Sequence, residues 1–518
     1  MMSPRRTLNS SGLAGYGVLA DARGARADTL MLEAVLPDPR LWLALAFGLC
    51  IATRLWFCAQ VPLCAEDAYI SFRYAFHWGH GLGPVFNPGE QAWGFTSVLW
   101  TSLLAAASAL GVPLESFARG TLIGCDLLAL WSGYRLLQRE SPWAGLGFAL
   151  FFALWPRLAH MPATGLESSL VTALLLTTAA YSKSRFAGVL NGLLALSRPE
   201  GLAMSVLLLP LLRPKQRGVW LGVAALNAAF MLYFGQLAPS SMASKAMVYG
   251  VQWMQGLYWM EWLIPGMPPR TDDGVALAPI AVLLLAGLVA VAARWRRATR
   301  FDLALPLVLT CGLLTLLGYT ALGVPWAFWY APTPMVAILL AVFAGLGGAG
   351  VLRWTLAPLA VAVLFSWGTA APRVVSAQTH DAAVFQSIGE TLRADARDSL
   401  AATSDPSVML EPIGIVGWFS ELRVVDEVGL VTPRIARERR AGDGWYARVL
   451  AHEKPTYLVI RRNWLVGDVA WAGLGAPFVS DAQRDSALAD YEPVRARVGE
   501  RLPAGSAALR IYRRVAGR

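Results

Sequence analysis

Two adjacent carboxylates stand at the mouth of the first apolar run of this chain. The run extends from Leu41 to Pro62 with a single charge, Arg54, and the acids Glu66 and Asp67 follow it closely. Acidic side chains beside a membrane span are costly unless they face water, a cation or a reacting group. We therefore expect a reaction centre at the water interface, with Asp67 as general base and Glu66 assisting it or binding a cation. The alternative is an ordinary polar loop with two solvated acids.

Three basic side chains are candidates to neutralise a phosphate that departs from such a centre. Arg73 follows Asp67 by six residues, Arg198 interrupts an apolar stretch, and Lys245 lies in a polar segment further along. Charge-assisted hydrogen bonds suit phosphate oxygens, and an arginine fork grips two of them at once. The alternative for Arg198 is an internal ion pair with Glu200 that holds a broken helix.

Further candidates would bind the rest of a substrate. Glu167 ends the segment 161–167 and suits sugar hydroxyls, although a charge at a helix N-terminus is an equally good interpretation. Trp326, Trp329 and Tyr330 suit a sugar face or a lipid chain, and the alternative is an interfacial aromatic belt. The remaining predicted substrate-binding residues lie in the segment after the acidic pair: Tyr69, Asn87, Glu90 and Thr96.

Metal binding has weaker support in the sequence. His77 and His80 lie near the two acids, but their spacing does not match a helical zinc motif. We predict no metal bound through these histidines. A divalent cation (Mg, Mn or Ca) held by the carboxylates alone stays open.

Composition makes this chain a polytopic membrane protein. Of 518 residues, 56% are hydrophobic and only 15% are charged, and the mean hydropathy is +0.48. The net charge of +10 reflects basic residues in short loops between apolar runs, as expected on the cytoplasmic side, so we predict no nucleic-acid partner. The five cysteines lie in or beside apolar runs and match neither a disulfide framework nor a zinc knuckle.

Apolar runs divide the chain into three predicted regions: a cytosolic tail over 1–40, a membrane domain over 41–373 whose first outer loop is 63–96, and an extracytoplasmic α/β domain over 374–518. We expect ten or eleven spans, with a broken or re-entrant helix within 97–137, within 186–212 or within both. The candidate spans are Leu41–Pro62, Ser97–Val112, Gly120–Leu137, Trp143–Leu158, Ser168–Tyr181, Phe186–Leu212, Val219–Gly235, Val275–Ala293, Leu303–Leu322, Ala327–Gly348 and Thr355–Gly368.

The last region alternates short apolar runs with proline and glycine, which is typical of strands in a small α/β domain. Asp381–Arg397 has the periodicity of an amphipathic helix. The predicted strands are Val408–Leu410, Ile413–Val416, Val424–Val425, Tyr457–Ile460 and Leu509–Tyr512. With the N-terminus inside, every segment of chemical interest faces the outer side of the membrane, and this domain lies over the site.

Several of these segments resemble those of GT-C membrane glycosyltransferases that use polyprenyl-phosphate sugars, and most closely the bacterial arabinofuranosyltransferase branch. The matching motifs run in order along most of the chain: the acidic pair with Ala-Tyr-Ile-Ser-Phe-Arg-Tyr (66–74), Val-Phe-Asn-Pro-Gly-Glu (85–90), Thr-Gly-Leu-Glu (164–167), Arg-Pro-Glu-Gly (198–201), the Pro239-to-Lys245 loop, and tail segments 413–418 and 425–430. The chain departs from the usual pattern in having Glu-Asp for Asp-Asp, and Trp93-Gly94-Phe95 for Glu-Gly-Tyr.

The resemblance implies a multi-pass enzyme of the bacterial inner membrane whose site and C-terminal domain face the periplasm or exterior. It implies a polyprenyl-phosphate sugar as donor, a cell-envelope glycan or lipid as acceptor, the loop carboxylate as base, and inversion at the anomeric carbon. Broken helices with internal charges leave a second hypothesis, a transporter or flippase of lipid-linked sugars. A third is a scaffold of an envelope-assembly complex with a degenerate site.

Overall fold

The computed structural model describes residues 38–138, 141–249, 303–321, 328–348, 352–399, 405–465, 475–494 and 509–515. Residues 1–37 of the predicted tail over 1–40, the predicted span Val275–Ala293 and Trp326 lie outside these residues.

Helices make up nearly all of the described chain as far as residue 399. In chain order they are α1 Pro39–Gln60, α2 Glu66–Gly79, α3 Val98–Ala109, α4 Leu114–Leu137, α5 Pro142–Leu154, α6 Pro156–Thr164, α7 Ser168–Ala180, α8 Ala187–Ser197, α9 Pro199–Leu207, α10 Val219–Phe234, α11 Ser240–Tyr249, α12 Ala304–Ala321, α13 Pro332–Gly348 and α14 Leu352–Ser399. Short 3₁₀ turns lie at Leu209–Leu211, Pro214–Gly218 and Phe328–Tyr330.

Within the described residues, three stretches are long and apolar enough to cross a membrane: Pro39–Gln60, Pro214–Phe234 and Ala360–Asp398. Helices α5 and α6 form a fourth if their bent pair counts as one span. The other apolar helices are shorter; α3, with 12 residues, rises only about 18 Å against a hydrocarbon core of about 30 Å. The chain is thus a multi-pass membrane protein, and the span count of ten or eleven stays a prediction.

The bend between α5 and α6 explains the charge inside the first apolar run. Pro156 has no N–H, so the carbonyl of Phe152 lacks its helical donor, and the two helices meet at 55°. Arg54 supplies the missing donor, because its Nη2 donates to the Phe152 oxygen at 3.0 Å. Its Nε donates to Asp126 at 2.9 Å, and both charged side chains are buried. The predicted span Trp143–Leu158 is therefore two helices.

A second break falls within the predicted interruption at 186–212. Arg198 has extended backbone between α8 and α9, and Pro199 opens the second helix. Proline disfavours helical geometry in the residue before it, so the sequence itself ends α8 here. Ser197, the last residue of α8, satisfies its hydroxyl locally by donating to the Leu194 carbonyl at 2.7 Å.

The C-terminal part is an α/β domain, as the sequence predicts. Its elements are β1 Ser407–Leu410, α15 Gly414–Ser420, β2 Arg423–Asp426, α16 Pro433–Arg440, α17 Trp445–Glu453, β3 Tyr457–Arg461, α18 Arg462–Leu465, α19 Asp481–Leu488, β4 Tyr491–Pro493 and β5 Leu509–Arg514. The sheet order is β2-β1-β3-β5-β4, in which β1 pairs in parallel with β2 and β3, and β5 pairs antiparallel with β3 and β4.

Two details of this domain differ from the prediction. The strand predicted at Ile413–Val416 is wrong, since these residues enter helix α15. Both faces of this short apolar run are covered, and periodicity alone cannot separate a buried strand from a buried helix there. The edge strand β4 was not predicted, because Glu492 and Pro493 leave it without an apolar pattern.

The membrane part and the sheet share one core. Helix α14 runs without interruption through residue 374, so the predicted domain boundary falls inside a helix and the division there stays a prediction. The shared core contains α2 and outer-loop residues, α14 residues and strand residues, including Tyr74, Phe86, Ile388, Val416 and Val424. Residues 63–96, the predicted first outer loop, are thus packed between the membrane helices and the sheet.

We predict that Arg54→Met lowers the free energy of unfolding by about 3–5 kcal/mol, because it leaves a buried Asp126 carboxylate and the Phe152 carbonyl without their donor. Thermal unfolding of the purified protein in detergent measures this. The double variant Arg54→Met/Asp126→Leu is expected to unfold at a higher temperature than Arg54→Met. Equal stability of the wild type and Arg54→Met would contradict this account of the bend.

Candidate functional site

A cavity of about 310 Å³ lies where α2, the α8–α9 break, α11 and the aromatic turn at 328–330 meet the C-terminal domain. Eight of the residues predicted from the sequence line it: Asp67, Thr96, Glu167, Arg198, Glu200, Lys245, Trp329 and Tyr330. These residues come from segments as far apart as positions 67 and 330. The structure therefore brings together most of the predicted binding groups.

Asp67 and Lys245 form an ion pair at the wall of this cavity. The Lys245 Nζ donates to Asp67 Oδ2 at 2.9 Å, and each side chain is about one quarter exposed. The same ammonium lies 5.7 Å from the centre of the Trp329 ring. Helix α2 begins at Glu66, so Asp67 stands in its first turn, where the helix dipole favours a negative charge.

Burial and the neighbouring charges shift the pKa values of Glu66 and Asp67 in opposite directions. Burial raises the pKa of Asp67, but the charge and hydrogen bond of Lys245, together with Glu66 and Arg198, hold that pKa below its ordinary value. Burial, and then the Asp67 charge, raise the pKa of Glu66 well above its usual range. Burial lowers the pKa of Lys245, and the Asp67 charge overrides that effect and raises it. The pKa values of Asp67 and Lys245 therefore move apart, which keeps the pair ionised, while the pKa of Glu66 moves in the direction opposite to that of Asp67.

Glu66 faces a different neighbour from Asp67. Its Oε1 accepts a hydrogen bond from the backbone N–H of Gly414 in the C-terminal domain. Glu66 lines a second cavity of about 370 Å³, which also contains Asp67, Trp329 and His160. Asp67 and Trp329 are thus common to both cavities. The catalytic role predicted for Glu66 stays a prediction.

Arg198 is held between two carboxylates at the helix break. Its Nη1 donates to Glu167 at 2.8 Å, and its Nε donates to Glu200. The guanidinium carbon lies 5.1 Å from the centre of the Tyr330 ring, and the side chain is buried. The internal ion pair considered from the sequence is therefore present, and it lies in the wall of the cavity.

An aromatic wall closes one side of the cavity. Ser168 fixes the turn that carries Trp329, because its hydroxyl donates to the Trp329 carbonyl at 2.7 Å. Tyr319, whose ring centre lies 4.7 Å from that of Tyr330, also lines the cavity and was not predicted. The available signal was a tyrosine inside the apolar run 303–322. Ser241 and Met242 were missed as well, although they lie within the predicted Pro239–Lys245 loop.

Four predicted substrate-binding residues do not line the 310 Å³ cavity: Tyr69, Arg73, Asn87 and Glu90. Arg73 is buried and donates to the carbonyls of Phe86 at 2.8 Å and Leu422 at 2.7 Å, and also to that of Gly417. Six residues of helix carry it away from Asp67 and into the junction with the C-terminal domain. The structure thus places Arg73 at this junction and not in the 310 Å³ cavity, and its role in binding substrate stays a prediction.

The other three of these residues also bind protein groups. Asn87 forms two hydrogen bonds with the backbone of Val424, at 2.8 and 3.0 Å, which extends the edge of strand β2. Glu90 accepts from Arg423 at 2.6 Å. The Tyr69 hydroxyl donates to Glu115 at 2.5 Å. These contacts occupy the polar groups that the sequence assigned to substrate.

Among the described residues, no cluster of three or more His, Cys, Asp or Glu side chains has the spacing of a metal site. The His77 and His80 rings bind backbone carbonyls of Val85 and Phe76 separately, at 3.0 and 2.8 Å. A divalent cation at the carboxylates stays a prediction.

Comparison with known proteins adds a family model, a relative and a solved structure. Residues 376–512 match a model described as a domain of unknown function (DUF8728). Over 262 residues the chain is 30% identical to the terminal beta-(1->2)-arabinofuranosyltransferase of Mycobacterium tuberculosis (strain ATCC 25618 / H37Rv), covering 42% of this chain and 40% of that protein. The chain thus spans about two fifths of the length of this curated relative.

The fold is similar to that of the archaeal oligosaccharyltransferase AglB from Archaeoglobus fulgidus, solved in complex with an inhibitory peptide and a dolichol-phosphate. The TM-score is 0.51 at 12% identity, over 88% of this chain and 72% of that one. This similarity confirms the predicted fold. The chain has a GT-C-like helical membrane domain followed by a C-terminal α/β domain.

Proposed function

We propose that this protein is a membrane glycosyltransferase that moves a sugar from a polyprenyl-phosphate donor to a hydroxyl of a cell-envelope glycan or lipid. The single observation that carries the proposal is the Asp67–Lys245 pair at the wall of an aromatic-lined cavity in a GT-C fold. It places a carboxylate, which can take a proton, beside an ammonium that can bind a phosphate. Bacterial inner-membrane location, with the site facing the periplasm or exterior, belongs to the same proposal.

Because Asp67 is paired with Lys245, binding of the lipid-phosphate donor can change the basicity of Asp67. Lys245 neutralises Asp67 and, by lowering its pKa, makes it a weak base. A lipid phosphate that binds Lys245 adds negative charge beside Asp67 and competes for the ammonium. Both effects raise the proton affinity of Asp67 when a donor is present. The carboxylate then becomes a better general base at the moment that it is needed.

Transfer is a direct displacement at the anomeric carbon. Asp67 takes the proton of the acceptor hydroxyl while that oxygen forms the new bond to carbon. The bond from carbon to the phosphate oxygen breaks, and its electron pair leaves with the polyprenyl phosphate. Lys245 neutralises the departing phosphate. A single displacement of this kind inverts the anomeric configuration.

Glu167 and Glu200 suit the hydroxyls of the sugar, with Arg198 fixing both carboxylates. Trp329 and Tyr330 offer apolar faces to the sugar ring or the first isoprene units. Arabinofuranose is the sugar that we propose, on the similarity to the mycobacterial arabinofuranosyltransferase. The acidic pair and the aromatic wall suit other sugars equally well, so a panel of donors is the appropriate assay.

We predict that Asp67→Asn lowers the rate of sugar transfer by about 10²-fold or more, because an amide cannot take the proton of the acceptor hydroxyl. Transfer by the purified protein, from a panel of polyprenyl-phosphate sugars to a glycan acceptor, measures this. The exposed Asp490→Asn is the matched control and is expected to transfer at the wild-type rate. Full transfer by a folded Asp67→Asn would show that another group is the base.

We predict that Lys245→Met shifts the acid limb of the kcat/KM profile to higher pH. In the wild type the Asp67 carboxylate is kept ionised by Lys245, so activity is lost only as the pH falls through a lowered pKa. Without the ammonium, burial remains and raises that pKa. The pH dependence of kcat/KM measures the shift, and Lys245→Arg, which keeps a cation, is the control. An unchanged acid limb in Lys245→Met would contradict the coupling of the two residues.

A further inference from the structure

A loop of the C-terminal domain reaches the helix that carries Lys245. This loop, residues 427–431, follows strand β2 and lines the 310 Å³ cavity through Leu430. Its Gly429 carbonyl accepts from the Ser244 hydroxyl at 2.9 Å, and its Leu430 carbonyl accepts from the Ser240 hydroxyl at 2.5 Å. Ser240 and Ser244 belong to α11, and Ser244 is the residue before Lys245. The loop therefore fixes α11 at two points one turn apart.

Asp426 holds this loop in shape from within. Its Oδ1 accepts from the N–H of Val428 at 2.8 Å, and its Oδ2 accepts from the N–H of Val431 at 3.0 Å and from that of Leu430. The side chain is fully buried. Burial raises its pKa to about 6, while these amide donors lower it.

Glycine is required in the same loop. Gly429 has a φ of +83°, a conformation that side chains with a Cβ rarely adopt, and an added Cβ would lie 2.8 Å from the Ala436 nitrogen. The turn that presents the Gly429 carbonyl to Ser244 thus depends on the sequence Asp-Glu-Val-Gly-Leu at 426–430.

A second contact of the domain lies beside Asp67, the acidic partner in the ion pair. The Gly414 N–H donates to Glu66, the neighbour of Asp67, and a Cβ at position 414 would lie 2.0 Å from the Glu66 carbonyl oxygen. The domain thus contacts α2 beside Asp67 and α11 beside Lys245. These two helices are 178 positions apart at the pair, and the same domain contacts both.

We propose that the C-terminal α/β domain is a positioning element of the site, in which Asp426 acts through the 427–431 loop to hold Lys245 at Asp67. The inference rests on the proposed function and deepens it. It gives a role in this chain to the region that matches the domain of unknown function. Asp426 is a positioning residue and touches no reacting atom.

Asp426→Asn tests the proposal. Asparagine keeps one acceptor oxygen, and its NH₂ group cannot accept from the backbone N–H groups that face it, so the loop loses its shape. We expect the KM for the polyprenyl-phosphate sugar to rise about fivefold or more while the KM for the acceptor holds, because Lys245 binds the donor phosphate. A general loss of folding would instead lower kcat and would not raise the KM for the donor selectively over the KM for the acceptor.

A second readout needs no transfer activity. Acetylation of the full-length protein by an amine-reactive ester, followed by mass spectrometry, gives the rate at which Lys245 reacts relative to the exposed Lys454. Release of Lys245 from Asp67 is expected to raise this ratio severalfold in Asp426→Asn. Asp395→Asn is the matched control, because Asp395 lies in α14 and accepts from Tyr457 at 2.7 Å and from Arg513. The control is expected to leave the Lys245 ratio unchanged.

Ser244→Ala and Ser240→Ala decide the matter if Asp426→Asn does not fold, since each removes one hydroxyl that binds the loop. Raised Lys245 acetylation in the double variant supports the proposal. Wild-type acetylation in the folded variants, or the same increase in Asp395→Asn, overturns it. If the wild type transfers no sugar, the proposed function fails, and the acetylation ratios still decide whether the domain positions Lys245.

Discussion

The ion pair between Asp67 and Lys245 is the interaction on which the site depends. Both charges lie beside an apolar wall, where an unpaired charge would be destabilising. At 2.9 Å, each charge offsets the desolvation penalty of the other. The pair also fixes the distance between α2 and α11, which no short-range sequence contact sets. A substrate that binds the ammonium must disturb this balance. We propose that this competition for Lys245 raises the proton affinity of Asp67 and so allows it to act as the base.

Arginines stabilise the framework at three places where helices are interrupted or joined to the C-terminal domain. Arg54 supplies a donor to the carbonyl that Pro156 leaves free, and Arg198 joins two carboxylates at the break before Pro199. Arg73 donates hydrogen bonds to backbone carbonyls of the 63–96 segment and of the C-terminal domain. In each case a buried guanidinium donates to backbone or carboxylate oxygens at a junction between elements.

The sequence predicted the type of fold and the composition of the cavity, because both depend on local signals. Apolar runs indicated membrane helices, and acids or bases within polar breaks indicated where the cavity residues lie. Arg73, Asn87 and Glu90 lie outside the 310 Å³ cavity for one reason. They have the polarity of ligand-binding groups, but only the folded chain shows that strand β2 and helix α15 lie against them. Tyr319 was missed because its helix reaches the cavity only through tertiary packing.

The C-terminal domain illustrates the same limit. Its strands at 407–410, 423–426 and 457–461 follow apolar patterns that can be read locally. The run at 413–416 also looks like a strand, but it enters a helix whose Gly414 lies against Glu66. The hydrogen bond at this close approach joins residues 348 positions apart. A contact between residues so far apart in sequence cannot be predicted from local sequence patterns.

The stereochemistry of the transfer tests the central claim most directly. Purified full-length protein would be incubated with a polyprenyl-phosphate sugar of defined anomeric configuration and a glycan acceptor, and the new linkage assigned by NMR. Our account predicts a new glycosidic bond of inverted configuration, together with release of the polyprenyl phosphate. Retention of configuration, or movement of the lipid-linked sugar across a bilayer without cleavage of the sugar–phosphate bond, would contradict it.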